Sequence, residues 1–478
     1  MKHLLVLAIL FAVAFAMARN KISHTPYAYD EADYMFAATL GLEANWLDIG
    51  TMPLPEFVTV GRRSGADASQ KAALSEIARS ASDPVVYRHW HGPVYYAWLT
   101  LLSDLNLDEH VTRSWGMIFP VFTVLVIYFG SLLILGGSEG MAAAILGSAL
   151  FLWSPVTLET SELAPHLLFV LWYVCGLLAL AKAAAGGGRR YFYAAVFFAG
   201  LAFCTMEVAF VLILVLVIFA WWQRGQLGFD GRMARNSMGF LVGTILVAWP
   251  AGLLKLSFVK AYLVMLYLAV FRKGAWGDVT LAQTWARRFA ISPVEWCLFA
   301  IALVLLVYPA RKTVNQRGRS GALTFLLFAG LMILATLRVY AEGTRYTTPF
   351  LAAVDLFTAW TLAPVLVRLA RSWQTYGALA AICCLLIWNS QRQMSGFRLG
   401  ESSGPDPTLT ALRAHGLAEK TILAPRIDIP TLHYYFPQMR VQGYSDPSEI
   451  PGYKSASHFD AIVYPDNSVE VGGPDSAR

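Results

Sequence analysis

Cysteine is scarce in this chain and poorly placed for crosslinking. All five cysteines, Cys175, Cys204, Cys297, Cys383 and Cys384, fall in or at the edge of apolar runs, and the long polar segments contain none. That excludes a disulfide framework and a zinc-knuckle spacing. Charge is scarce as well: 14% of the residues are Asp, Glu, Lys or Arg, against 57% hydrophobic. The net charge of +6 never gathers into a basic stripe with interleaved aromatics, which excludes a nucleic-acid partner. What is abundant is apolar surface, more than one water-soluble core of ordinary proportions can bury, and a lipid solvent resolves the excess.

Apolar runs recur at Trp115 to Leu135, Met141 to Trp153, Leu167 to Ala181, Tyr191 to Cys204, Val208 to Trp222, Met238 to Leu254, Val294 to Val307, Leu323 to Leu337, Pro349 to Val367 and Ala378 to Trp388. The stretch from Tyr191 to Trp222 is too long for one span, and it divides near Thr205 and Glu207, where the polar residues fall. Ala261 to Phe271, aromatic and flanked by Lys260 and Arg272-Lys273, reads as a helix lying in the membrane interface. Met1 to Ala18 reads either as a cleaved secretory signal or as a first span, and both readings send the next segment outward.

With the first helix retained, the chain is expected to be an all-α polytopic membrane protein of about eleven transmembrane helices. It carries a long first outer loop, 19–112, and from about Ser390 a small C-terminal α/β domain with a helix over Leu409 to Leu417 and strands at Lys420 to Ala424 and Asp460 to Tyr464. The expected domains are thus 1–388 in the membrane and 389–478 outside it. Basic clusters at Lys182 with Arg189 and Arg190, at Arg224, Arg232 and Arg235, at Arg311 to Arg319, and at Arg368 with Arg371 alternate with the spans and mark the inner side of a cell inner or plasma membrane. That leaves Lys255, Lys260, Arg272, Lys273, Arg287, Arg288, Arg338 and Arg345 on the outer side, either as anion ligands or as snorkelling anchors.

Four outer segments hold the residues suited to chemistry. Tyr29-Asp30-Glu31-Ala32-Asp33-Tyr34 packs three acids beside two tyrosines, and Asp30 is placed either to cap a helix beginning at Glu31 or to act as a base. Arg88-His89-Trp90-His91-Gly92-Pro93-Val94-Tyr95-Tyr96 turns into a helix at Gly92-Pro93, and its two histidines suit a metal or a phosphate. Glu159-Thr160-Ser161-Glu162-Leu163-Ala164-Pro165-His166 sets two acids and a histidine at the membrane surface. Arg338 to Pro349 offers Arg345 beside Tyr346, a charged fork and a phenol fit for a phosphate, with an internal pair to Glu342 as the plainer use.

In these four segments the chain resembles the membrane glycosyltransferases of the C-type superfamily that use polyprenyl- or dolichyl-phosphate sugars, among them the protein O-mannosyltransferases and the aminoarabinose transferase of lipid A. Asp30-Glu31 with Tyr34 is similar to the superfamily's Asp-Glu-x-x-Tyr pattern. His91 to Tyr96 resembles its His-Pro-Pro-Leu-Tyr-Tyr element with Gly92 as a departure, Ser161 to His166 a degenerate Ser-Arg-Glu-Ala-Arg-Pro-Tyr, and Arg345-Tyr346 to Pro349 its Arg-Tyr-x-x-Pro. The resemblance implies a retained first helix and an inverting transfer from a polyprenyl-phosphate sugar to a glycan, lipid or protein acceptor on the extracytoplasmic side, where the C-terminus also lies. It implies Asp30 as general base, with Glu31 positioning it or the acceptor. Substrate and phosphate binding fall to Tyr34, His91, Tyr95, Glu162, Arg272, Lys273, Arg345 and Tyr346. A divalent metal is not chemically required, and its candidate ligands are Glu31, His89 and His91. Glu207 stands where relatives often carry Lys or His, so no phosphate role passes to it. Two other readings are a transporter of a polar or lipid-linked solute, which calls for inverted repeats that the sequence does not display, and a non-catalytic subunit for cell-envelope assembly.

Overall fold

A computed structural model describes residues 2–18, 22, 25–27, 29–47, 91–160, 163–250, 280–307, 316–337, 344–369, 372–397, 406–425, 428–444 and 446–472. Its helices begin with α1 (Lys2–Ala18), α2 (Tyr29–Thr39), α3 (Gly41–Leu47), α4 (Pro93–Asp104), α5 (Glu109–Ser114), α6 (Ile118–Leu135), α7 (Gly137–Leu152) and α8 (Pro155–Glu159). Then follow α9 (His166–Lys182), α10 (Arg189–Phe203), α11 (Phe210–Trp222), α12 (Gly231–Ala248), α13 (Leu281–Ile291), α14 (Pro293–Val307), α15 (Gln316–Ala335), α16 (Thr348–Leu369) and α17 (Ser372–Phe397). The chain closes with α18 (Pro407–Ala414), β1 (Thr421–Pro425), α19 (Ile429–Tyr435), β2 (Arg440–Tyr444), α20 (Ile450–Ala456), β3 (Ala461–Val463) and β4 (Val469–Val471).

Within the described residues each apolar run falls on a helix, and the long one breaks between Phe203 and Phe210 as its polar residues require. Among the described residues four helices are long and apolar enough on their own to cross a bilayer: Glu109–Leu135, His166–Gly187, Gly318–Ala335 and Thr348–Arg368. A fifth candidate is the pair α13 and α14, bent by 94°. Shorter apolar helices include α1 and α7. The interfacial helix expected at Ala261 to Phe271 lies outside the described residues.

The described residues form two compact units. The first takes 2–22, 113–250 and 280–397. Within it α7, rich in Gly, Ala and Ser, packs against both α6 and α16. Small residues permit the approach: a Cβ on Gly147 would meet Ile127 at 3.1 Å and Ala359 at 3.3 Å. Basic side chains gather at one end of this bundle. Lys182 closes α9 and donates to the Leu133 carbonyl at 3.2 Å, while Arg368 pairs with Glu139 at 2.9 Å. Both serve helix ends, the basic groups near carbonyl termini and Glu139 in a first turn, as helix dipoles favour.

The bend between α13 and α14 has a local cause. Pro293 cannot donate to the ladder, so α13 ends at Ile291 and α14 starts anew. The carbonyls freed at the break find donors: Asn389 of α17 bonds Ile291 at 3.3 Å, Gln393 bonds Ala290 at 2.9 Å, and the Trp296 indole bonds Arg288 at 3.2 Å. The break is a built feature of the bundle.

The second unit takes 25–112 and 406–472. Its sheet has the order β2-β1-β3-β4, with β1 parallel to β2 and β3, and β3 antiparallel to β4. Leu409, Leu412, Ile422, Leu432 and Phe436 fill one core cluster, and Leu423, Tyr444, Ile450 and Ile462 another. A central strand buried on both faces reads as a near-continuous apolar run, which is why β1 was legible in the sequence. The edge strands β2 and β4 carry Arg440, Gln442 and Glu470 and give no such signal.

Candidate functional site

The four sequence segments meet in pairs. In the second unit, α2 packs against α4 and α19. The acid-bearing helix starts at Tyr29, not at Glu31, so Asp30 and Glu31 both lie in its first turn and Asp30 is not the residue before the helix. The positive end of the helix still favours both carboxylates there. Asp30 is exposed, Glu31 half-buried and Tyr34 buried. The Tyr34 hydroxyl lies 3.3 Å from His91 Nε2, and its ring meets Tyr95 edge-on at 5.9 Å. Pro93 occupies the first turn of α4 with Gly92 before it, as the Gly-Pro pair predicts. Burial, with the Glu31 carboxylate nearby, pushes the Tyr95 phenol well above its ordinary pKa, so it stays a neutral hydroxyl.

A third partner was not legible in the sequence. α19 brings His433, Tyr434 and Tyr435 against the acid-bearing helix: His433 meets Phe36 edge-on at 5.8 Å, and Tyr434 meets Tyr27 at 5.2 Å. Tyr435 accepts from the Tyr27 amide at 2.7 Å and donates to Glu109 at 2.8 Å. The C-terminal segment therefore holds the entry to α2 in place.

Burial depresses the His433 pKa, so the folded state prefers the neutral ring. The sign follows: stability from this group is complete above the ordinary histidine value and is lost as pH falls below about 6.5. Asp428, pushed up by burial and by Asp406, acts oppositely at lower pH, where its protonation favours the folded state. The protection of amides in β1 and α19, taken relative to their intrinsic exchange rates at each pH, is expected to fall between about pH 7 and pH 5. His433→Leu should flatten that dependence. An unchanged slope in the variant would assign the acid sensitivity elsewhere.

In the first unit, the third and fourth segments meet. His166, buried at the start of α9, packs edge-on to Tyr346 at 6.0 Å, and the Thr160 and Thr348 hydroxyls lie 2.9 Å apart. Arg345 donates to the Tyr346 hydroxyl at 3.2 Å, with its guanidinium 5.1 Å from that ring. Both are half-buried in a short 3-10 turn leading into α16.

Arg288 of α13 approaches the same helix end. Its guanidinium lies 4.9 Å from the Trp285 ring and 5.5 Å from that of Phe350, in the first turn of α16. It is 5% exposed, and among the described residues neither Nη1 nor Nη2 has a hydrogen-bond partner. The sequence marked Arg288 only as an outer cation. Its burial follows from the bend at Pro293, which a linear reading does not anticipate.

His89, Glu162, Arg272, Lys273, Arg338 and Glu342 lie outside the described residues. Among those described, no three His, Cys, Asp or Glu side chains form a group that could hold a metal. Glu31 and His91 alone do not make a complete ligand set, and no chemical step is routed through a metal here.

No protein-family model matches the chain, and no curated protein sequence matches it. Solved structures do. ArnT from Cupriavidus metallidurans bound to undecaprenyl phosphate is similar with a TM-score of 0.61 at 12% identity, over 95% of this chain and 88% of that one. The apo state of that ArnT gives a TM-score of 0.57. The archaeal oligosaccharyltransferase AglB from Archaeoglobus fulgidus, in complex with an inhibitory peptide and a dolichol-phosphate, gives 0.54 at 14% identity, over 94% of this chain and 61% of that one. At such identities the likeness establishes the fold, and it is the fold that the four-motif resemblance implied.

Proposed function

We propose that the protein is a membrane glycosyltransferase that moves a sugar from a polyprenyl-phosphate donor to an extracytoplasmic glycan, lipid or protein acceptor, with inversion at the anomeric carbon. The observation that carries the reading is the shared fold over 95% of the chain with a transferase solved on undecaprenyl phosphate, in a chain that carries an acidic pair in the first turn of α2.

The chemistry needs a base for the acceptor and positive charge for the departing phosphate. Asp30 takes the acceptor proton as the acceptor oxygen bonds to the anomeric carbon. The bond from that carbon to the phosphate oxygen breaks, and the polyprenyl phosphate leaves carrying the electron pair. Glu31 positions the acceptor or Asp30, and Tyr34, His91 and Tyr95 line that half as hydrogen-bonding groups. Arg345 with Tyr346 receives the phosphate. Arg288 joins them, since it and Arg345 both stand at the amino end of α16, where the helix dipole also favours an anion. Arg272, Lys273 and Glu162 complete the assignment.

In this reading the chain crosses an inner or plasma membrane about eleven times. Residues 1–388 form the membrane domain with the catalytic loop at 19–112, and 389–478 form an extracytoplasmic domain. The test is a comparison of glycolipids and glycans from cells with and without the protein, followed by reconstitution with the implicated polyprenyl-phosphate sugar. Disappearance of one glycoform and its restoration in vitro is the expected result. An unchanged glycome, with no release of sugar from any polyprenyl-phosphate donor, would refute the proposal and favour a transporter.

A further inference from the structure

Two acids lie deep in the helical unit with no counter-charge among the described residues. Glu295, in the first turn of α14, and Asp355, within α16, are each 1% exposed. Glu295 is close enough to Asp355 to act on it electrostatically, and among the described residues no Lys, Arg or His acts on either. Among the described residues neither Asp355 oxygen has a hydrogen-bond donor, and the side-chain donor standing at Glu295 is the Ser154 hydroxyl. Ionisable groups held in this way inside a bundle are costly, and in membrane proteins they mark sites.

The surrounding side chains are oxygen donors of the same kind. Ser154, which precedes α8, stands beside Glu295, and Tyr173 of α9 stands beside Asp355. Both are wholly buried; the Ser154 hydroxyl is directed to the Glu295 carboxylate, and the Tyr173 hydroxyl has no hydrogen-bond partner among the described residues. Thr358 follows Asp355 on the same helix face with its hydroxyl likewise unpartnered. No sulfur or imidazole is among these groups. A pair of carboxylates with neutral hydroxyls suits a hard cation, and a charge of two cancels theirs.

We propose that Glu295 and Asp355, with Ser154 and Tyr173, bind a hard divalent cation of the magnesium or calcium class within the helical unit. His166 and Tyr173 lie seven residues apart on α9, as do Thr348 and Asp355 on α16. That spacing keeps each pair on one face and sets the cation about 10 Å deeper than the cluster of His166 and Tyr346. The ion would tie α8, α9, α14 and α16 together beneath the residues assigned to the phosphate. The inference rests on these buried oxygens and does not require the glycosyl-transfer reading.

The experiment is a titration of the purified full-length protein, in lipid nanodiscs, with Mn2+ followed by electron paramagnetic resonance, and with Mg2+, Ca2+ or Na+ followed by thermal unfolding. Saturable Mn2+ binding is expected, together with a rise in the unfolding midpoint on adding Mg2+ or Ca2+. Glu295→Gln and Asp355→Asn should each weaken binding by at least about tenfold, and Ser154→Ala by less. Asp30→Asn and His91→Ala should leave it intact, which separates this site from any ion at the acid-bearing helix. Absence of saturable binding, stabilisation by Na+ alone, or binding that survives both carboxamide variants would overturn the proposal. Where a carboxamide variant fails to fold, unaltered affinity in Ser154→Ala would overturn it as well.

Discussion

Asp30→Asn is expected to lower the rate of sugar transfer by about two to four orders of magnitude while the protein still folds and still binds its donor lipid. The reason is positional. Asp30 is the exposed acid of the pair in the first turn of α2, whereas Glu31 is half-buried and close enough to act on the Tyr95 phenol. A base that meets an acceptor from solution must be reachable, and only Asp30 of the two is fully so. The amide keeps the size and the helix-start position of the acid and removes only its basicity. Glu31→Gln should act more weakly, chiefly through the acceptor KM, as expected of a positioning residue. The measurement is single-turnover transfer from a radiolabelled polyprenyl-phosphate sugar, paired with donor binding to each variant. Turnover within a few-fold of the natural protein in Asp30→Asn would remove Asp30 from the mechanism. Loss of donor binding in the same variant would instead place the acid on the donor side.

The parts of this molecule that were legible in sequence are those written locally. Apolar runs became helices because lipid-facing and bundle-facing positions are both apolar, so the signal is continuous along each segment. The break near Thr205 was legible because polar residues interrupt such a run, and Pro93 because a first-turn proline follows its own steric rule. α2 begins before the expected Glu31, because a cap and a first-turn residue favour the same residue types. What could not be read depends on contacts between distant segments. The packing of α19 against α2 joins residues about four hundred positions apart, and nothing in the residues around Tyr435 announces Tyr27 or Glu109 as partners. β2 and β4 flank a legible centre but, half-exposed and polar, do not signal themselves. The oxygen cluster of Glu295 and Asp355 leaves no local signal, because each acid, taken alone, is an isolated polar residue within an apolar run.

Arg288→Met is expected to stabilise the ligand-free protein while weakening its hold on the donor, and the two effects together distinguish a ligand-binding arginine from a structural one. A guanidinium remains charged in any protein environment, so burial without an anion is paid in stability. Arg288 is 5% exposed, and its terminal nitrogens have no hydrogen-bond partner among the described residues. Its contacts with Trp285 and Phe350 return part of that cost, but rings cannot replace an anion's hydrogen bonds. Replacing a buried charge by a hydrophobic side chain of similar volume commonly stabilises by about 1–4 kcal/mol, and methionine is long and flexible enough to fill the space between the two rings. The lost interaction with a phosphate should cost about 2 kcal/mol or more, which is roughly a thirtyfold rise in the donor Kd. Arg345→Met provides the contrast. Its guanidinium is half-buried and already bonded to Tyr346, so the variant should weaken donor binding with little gain in stability. Thermal unfolding and donor titration of both variants read the two quantities separately. A destabilised Arg288→Met with unchanged donor affinity would make the arginine a spacer between aromatic rings and leave the phosphate to Arg345 and Tyr346.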